Sequence, residues 1–368
     1  EAAGTSVSAM SLKRPGPTDW PSTVTHLGPA GVTRGFLRSF ARAPFSVLRT
    51  LWTVASRSAP RNAFPQITAA LIGIAWASGH TAPGTVLHTH FGWVAATSAW
   101  AMSRVSGHPY TIVLHAFEIH TTSRHDRFTE VPLAAASKVF TISEADVDLV
   151  RRKWGVEPVV LRMGIPGVWF ADEAGRAQRE PNTVISIGSL VPKKGHMTLL
   201  RALALMPPHW RLDIVGEGPD RARLEATCSQ LGLSDRVTFL GLVPEAEVRR
   251  LLRLRWVMAL ACEEAPSGDR DGIPVAIMEA LATWTPVATT DAGRITELAP
   301  GIARIVPQHD AAALASALES LGPIEAFDAA ASAGHSYAVD HLTIQATIVP
   351  LLSAMRAVRT GTLTVSSR

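Results

Sequence analysis

Acidic residues are missing from one long stretch of this chain: between Trp20 and Phe117 there is no Asp or Glu, while Arg34, Arg38, Arg42, Arg49, Arg57, Arg61 and Arg104 all fall there. Such one-sided charge marks a cationic surface, suited to an anionic lipid or an anionic acceptor. No helix-turn-helix, zinc finger or aromatic single-strand platform accompanies the arginines, which argues against a nucleic-acid partner. Cysteine is nearly absent. Cys228 and Cys262 are the only two, and their spacing suits neither a disulfide framework nor a zinc site, so a reducing cytoplasm fits. Long apolar runs are lacking as well: "ITAALIGIAWA" (67–77) is about half of the roughly 20 residues a membrane-spanning helix needs, and it reads as a buried helix. An initiator methionine and a signal peptide are also missing. The opening "EAAGTSVSAMSLKRPGPTD" reads instead as a helix end at Gly4 followed by a short strand, as though roughly 20–35 residues of an opening strand-loop-helix had been cut from an α/β domain.

What is present points to two globular domains. The chain has 368 residues, 47% of them hydrophobic and 18% charged, enough to bury sizeable cores. Apolar strand patterns alternate with helical ones, the signature of a doubly wound parallel sheet. "TVLHTHFG" (85–92), "YTIVLHAFEIH" (110–120), "KVFTIS" (138–143) and "PVVLRMGI" (158–165) form a first set, assigned to a domain over residues 1–170. A polar stretch at 171–182 reads as the hinge. A second set then begins: "TVISIGSL" (183–190), "WRLDIVGEG" (210–218), "RVTFLGL" (236–242), "WVMALAC" (256–262), "TPVATT" (285–290) and "IARIVP" (302–307), in a domain over 183–325. Residues 326–368 read as terminal helices packing back on the first domain. A ligand belongs in the cleft between the domains, at the carboxyl ends of the strands.

Within the acid-free stretch, "TRGFLRSFARAPFSVLRTLWTVASR" (33–57) interleaves arginine with Phe, Leu and Trp at near-helical spacing, and Pro44 splits it into two helices. Two readings stand side by side. The segment over 33–61 lies against an anionic membrane, or its apolar stripes pack on its own domain.

Three strand ends carry candidate chemistry. In "SIGSLVPKKGHMTLL" (186–200), Gly188, Ser189, Lys194 and Gly195 lie in a loop between strand and helix, where glycine allows close backbone approach and lysine neutralises an anion. The spacing is not that of a phosphate-cradling GxxxxGK[ST] loop, which excludes that class of ATPase. In "IVGEGPDRARLE" (214–225), Gly216 and Gly218 half-match the dinucleotide fingerprint GxGxxG. Arg221 occupies the third glycine's place and Glu217 sets a negative charge beside the expected pyrophosphate, so NAD is disfavoured. In "GDRDGIPVAIMEA" (268–280), a helix starts at the cleft after Gly272 and Pro274. Its free amides can receive a diphosphate. Glu279, about 7.5 Å along the axis, can bond a sugar or ribose hydroxyl. Asp269-Arg270-Asp271 could instead hold a divalent cation between two carboxylates.

In order and spacing, "GSLVPKKG", "VGEGPDRARLE", "VTFLGLV", "DGIPVAIMEALA" and "PVATTDAGRITEL" resemble the donor half of a GT-B glycosyltransferase of family 4. More loosely, "VLHTHFG", "HAFEIH", "TISEADVDLVRRKWGV" and "GIPGVWF" are similar to the acceptor half of its exopolysaccharide and colanic-acid branch. The resemblance implies two Rossmann-like domains facing a cleft, with the first lacking its opening strand and helix. It implies retaining transfer of a sugar from a UDP- or GDP-linked donor to a saccharide or lipid-linked acceptor, with no metal or other cofactor. By position, Lys194 would bind the donor diphosphate, Asp271 would face the transferred sugar, Glu279 would hold the ribose and His115 would lie near the sugar. Backbone around Leu240 and Gly241 would meet the base, and the Ile273 to Val275 amides the phosphates or sugar. In this context Asp271 works with Glu279 rather than with Asp269. Three departures stand out: Ser189 replaces an arginine of the family's "GRL", Trp284 replaces a small residue, and Arg294 replaces the second glycine of "GG", where it could restore the lost charge. They keep open a degenerate member that binds without transferring sugar. A sugar-nucleotide epimerase shares the two-Rossmann architecture but not the "GxPxxxxEA" context.

Overall fold

The computed structural model describes residues 9–10, 24–25, 29–79, 82–120, 127–170, 179–265, 269–272, 274–298 and 301–360. The helix end read at residues 1–4 and the donor contact assigned to Ile273 lie outside them. Strands β1 (Ala9–Met10) and β2 (Val24–Thr25) pair in parallel. Helices α1 (Pro29–Arg42) and α2 (Pro44–Arg57) follow, broken at Ala43 where Pro44 starts the second helix. The apolar run lies inside α3 (Pro60–Ala77), whose Ala69, Ala70, Ile74 and Trp76 are buried. Among the described residues, no helix is long and apolar enough to cross a membrane.

The first sheet is β3 (Leu87–His90), β4 (Tyr110–Leu114), β5 (Lys138–Thr141) and β6 (Val159–Val160), paired in that order and all parallel. Its crossovers carry α4 (Val94–Ser106), α5 (Ala116–His120), α6 (Arg127–Ala135) and α7 (Val147–Trp154). Ile112, Leu114 and Val139 from the sheet join Val47, Val54, Ile74 and Trp100 from the helices in one core.

The second sheet contains β7 (Glu180–Ile187), β8 (Arg211–Val215), β9 (Val237–Gly241), β10 (Arg255–Leu260), β11 (Val287–Thr290) and β12 (Arg304–Val306), in the spatial order β12-β11-β10-β7-β8-β9. Its crossovers carry α8 (His196–Leu205), α9 (Arg221–Gln230), α10 (Glu245–Leu254), α11 (Val275–Ala282) and α12 (Ile295–Leu298), and α13 (Ala311–Glu319) follows the last strand. The strand begins earlier than the sequence suggests. Glu180 pairs in register with Arg255 and meets its guanidinium at 2.9 Å, which draws the end of the expected hinge into β7. Helix α14 (Ile324–His341) buries Phe327, Ala331 and Ala338 against the second domain. Helices α15 (Ile344–Thr347) and α16 (Val349–Arg359) cross back: Ile165 N–H donates to Leu342 O at 2.8 Å, and Leu351 packs near Val113 and Phe140.

Candidate active site

In the second sheet, sequence neighbours lie on opposite sides of β7 and β10, so the strand order reverses between these two strands. A doubly wound sheet opens its ligand crevice at that switch, beyond the carboxyl ends of the strands. The segments leaving β7 and β10 are the Gly188–Gly195 loop and the segment from Ala261 to Pro274, and both carry residues predicted for the site.

These segments are joined backbone to backbone. Gly195 sits at φ 64°, where a Cβ would lie 1.5 Å from the Ala261 carbonyl oxygen. Gly216 sits at φ 139°, where a Cβ would lie 1.9 Å from the Gly188 carbonyl oxygen. Only glycine permits both the conformation and the approach. Gly188 N–H donates to Val215 O at 3.0 Å, Leu190 N–H to Glu217 O at 2.9 Å, and Gly216 N–H to Gly241 O at 2.8 Å. The loops holding Gly188, Gly216, Gly218 and Gly241 thus form one floor, with Leu240 packed beneath it. Glu217 presents no free charge to the crevice: it pairs with Arg221, the residue that stands in the third glycine's place.

The central ion pair crosses this floor. Lys194 Nζ lies 2.6 Å from Asp271 Oδ2, and Lys193 Nζ lies 3.2 Å from Asp269 and 3.6 Å from Asp271. The buried Cys262 thiol, pushed up by burial and then by the Asp271 carboxylate, stays protonated and donates to Asp271 at 3.4 Å. Both carboxylates of the Asp269-Arg270-Asp271 run therefore hold lysines, and Lys193 links them. The sequence reading sets Asp271 to work with Glu279 rather than with Asp269; the structure adds that the two aspartates share Lys193. Among the described residues, no group of three His, Cys, Asp or Glu converges as a metal site.

Pro274 is buried and directly precedes α11; Val275 begins the helix, exposed at its tip. Glu279 lies one turn further along the same face. It is half-buried, with no hydrogen-bond or ion-pair partner among the described residues, and burial followed by Glu245 pushes its carboxyl up to about 7. An unpaired, partly desolvated carboxyl one turn from a helix start is equipped to accept ligand hydroxyls.

His115 directly follows β4. Its Nε2 lies 3.0 Å from His90 Nδ1, and its ring stacks on Phe91 at 4.3 Å. Burial, then His90, lowers its pKa to about 4, which keeps the ring neutral at ordinary pH. Glu118 accepts from the amides of His115 and Gly92, each at 2.9 Å, and fixes the turn. His90 escaped the sequence reading, although a histidine at the end of the strand beside β4 was a usable signal.

The two domains meet beside this site. Gly272 lies so close to the first domain that a Cβ would come within 2.9 Å of Ile142. Arg270 donates to His120 at 2.8 Å, and His120 Nε2 lies 2.9 Å from the buried Asp146. Asp146 also accepts from Arg294 at 2.8 Å, and these partners outweigh burial and hold its carboxyl below the usual range. Arg294 is thus bound to the other domain, which overturns the idea that it restores the charge lost at Ser189; Ser189 itself is exposed. Glu297 accepts from Ser143 Oγ at 2.8 Å and from the amides of Glu144 and Ala145 at 3.0 and 3.1 Å. Trp284, at φ 60°, stacks on His335 at 4.1 Å, so α14 supports the bulky side chain where a small one was expected.

Two parallel-sheet Rossmann-like domains closed over a crevice at the switch point of the second define the GT-B fold. Residues 168–325 match the family described as glycosyl transferases group 1. The chain is 35% identical over 171 residues, 45% of its length and 42% of the relative's, to a protein of Escherichia coli (strain K12) named as the colanic acid biosynthesis glycosyltransferase WcaL. It is 32% identical over 172 residues, 45% of its length and 42% of the relative's, to the amylovoran biosynthesis glycosyltransferase AmsK of Erwinia amylovora. The aligned stretch spans less than half the length of these curated relatives. Among solved structures, the sucrose-phosphate synthase of Thermosynechococcus elongatus superposes with a TM-score of 0.69 at 20% identity, covering 80% of this chain and 79% of that one. The Anabaena HepE structure in complex with UDP superposes with a TM-score of 0.66 at 19% identity, covering 79% and 82%.

Proposed function

We propose that this protein is a retaining glycosyltransferase that moves a sugar from a UDP- or GDP-linked donor to a saccharide or lipid-linked acceptor in cell-surface polysaccharide synthesis, working in the cytoplasm at the inner face of the membrane. The observation that carries the reading is the Lys194–Asp271 pair at the switch-point crevice, 2.6 Å apart and beside the start of α11. The relatives named for colanic acid and amylovoran biosynthesis support the product class. The UDP and UDP-glucose complexes of a protein with the same fold support the donor class.

Chemistry in this reading rests on charge and position. When a donor enters, Lys194 turns part of its charge from Asp271 to the leaving diphosphate, and the amides at the start of α11 take the rest. Glu279 accepts from the ribose hydroxyls once ionised. Neutral His115, held by His90 and stacked on Phe91, bonds a sugar hydroxyl without adding charge. The acceptor hydroxyl attacks the face from which the nucleotide diphosphate departs: the new carbon–oxygen bond forms as the sugar–phosphate bond breaks, the hydroxyl proton passes to the departing phosphate oxygen, and no side chain forms a bond to the sugar. Lysines and helix amides do the work a metal would do.

A second reading, donor binding without transfer, draws on Ser189 and on the capture of Arg294 by Asp146, which together leave the diphosphate one cation short. Incubating the purified protein with a panel of UDP- and GDP-sugars, and measuring nucleotide release with and without saccharide acceptors, separates the two. Release that is abolished in Glu279→Ala and raised in Ser189→Arg supports transfer. Binding without release supports the second reading, and no binding removes both.

A further inference from the structure

Helix α2 is apolar on two opposite sides. Val47, Thr50 and Val54 face inward, fully buried among α3, α4 and α6. At i, i+3 and i+7 on the outer side, Phe45, Leu48 and Trp52 are 86%, 54% and 73% exposed. Phe64 on α3 and Leu37 on α1 are exposed too. The inner stripe thus packs on its own domain, while among the described residues nothing apolar covers the outer stripe.

The exposed apolar residues share these helices with arginine. Arg49 stands between Leu48 and Trp52 on the outer side, and Arg34, Arg38 and Arg57 are exposed on α1 and α2. No acidic residue occurs between Trp20 and Phe117 to neutralise them. Arg104 is held below its usual range by burial and then by Arg49, so two guanidinium groups stand near each other in a region without carboxylates. A face that combines arginines without an ion-pair partner among the described residues with exposed Phe, Leu and Trp suits a surface whose polar layer is anionic and whose interior is apolar. A second copy meeting this face across a two-fold axis would instead set arginine against arginine.

We infer that the outer face of α1 and α2 is a membrane-docking surface, with Phe45, Leu48 and Trp52 entering the headgroup boundary of a bilayer and Arg34, Arg38, Arg49 and Arg57 holding anionic headgroups. The inference stands apart from sugar transfer, because docking is read with no donor present.

The test is cosedimentation of the full chain with vesicles of mixed phosphatidylglycerol and phosphatidylcholine, against vesicles of phosphatidylcholine alone. The protein binds the mixed vesicles and largely ignores the neutral ones, and added salt weakens binding. Phe45→Ser with Trp52→Ser lowers the partition about tenfold through lost apolar burial, and Arg49→Glu lowers it about fivefold or more. All three side chains are exposed, so thermal unfolding of these variants matches the parent. Equal partition onto neutral vesicles, no partition at all, or patch variants that bind like the parent overturn the inference. So does a dimer in solution that the two aromatic substitutions dissociate, or binding to RNA that vesicles do not displace.

Discussion

Replacing Glu279 with Gln should stabilise the empty protein at alkaline pH while weakening its hold on a nucleotide. The carboxyl is half-buried without a partner among the described residues, and burial followed by Glu245 raises it from 4.5 to about 7. Between those values the folded chain keeps a proton that the unfolded chain has released. Folding stability therefore falls as pH rises through this window, and the whole cost is present above about pH 7. Each pH unit is worth about 1.36 kcal/mol, so the interval sets a ceiling of roughly 3 kcal/mol. Glu279 keeps some contact with water and Glu245 is exposed, so about 1–2 kcal/mol is the better expectation. That corresponds to roughly 3–6 °C if the second domain unfolds as a unit. Glutamine has the same shape and cannot ionise, so it escapes the cost. Thermal unfolding followed by circular dichroism, without nucleotide, compares parent and variant at pH 4.5 and pH 8. The variant should match the parent at the acid end and melt higher at pH 8. Adding UDP or GDP at pH 8 should then raise the parent's midpoint more than the variant's. A variant that gains nothing between pH 4.5 and pH 8 would show that the carboxyl is solvated and refute the reasoning.

Other changes test the frame that holds the site. Gly195→Ala places a Cβ 1.5 Å from the Ala261 carbonyl oxygen at a positive φ, and should cost about 2–4 kcal/mol of stability in thermal or urea unfolding. Asp146→Asn leaves His120 and Arg294 without their shared carboxylate. It should loosen the contact between the domains, read as a larger radius of gyration by small-angle X-ray scattering and a loss of about 3 kcal/mol or more in stability. Because the Asp146 carboxyl is held below its usual range, its contribution is present above the unfolded-state pKa and fades as pH falls through the folded one.

The strands could be read from sequence because runs such as "YTIVL" and "WVMAL" are largely apolar stretches buried on both faces. Order and spacing of the glycine-rich strand ends then placed Gly188, Lys194, Gly216 and Glu279 beside one crevice. Pairings across long stretches of chain could not be read this way. Lys194 meets Asp271 because two loops converge at the switch point, and Arg294 meets Asp146 because two domains close; neither event leaves a local periodicity. The start of β7 was misplaced for a related reason: Glu180 looks like linker until Arg255 pairs with it. His90 was overlooked because a strand-end histidine looks ordinary until the adjacent strand brings His115 to it.

The most direct test of the central claim is equilibrium binding of UDP and of GDP to the purified protein by titration calorimetry in the presence of EDTA. The account predicts that one of the two binds as well with the chelator as without it, and that Lys194→Ala weakens binding about tenfold or more through loss of a charge-assisted contact. Failure of both nucleotides to bind the parent, or binding that needs a divalent metal and ignores Lys194, would contradict it.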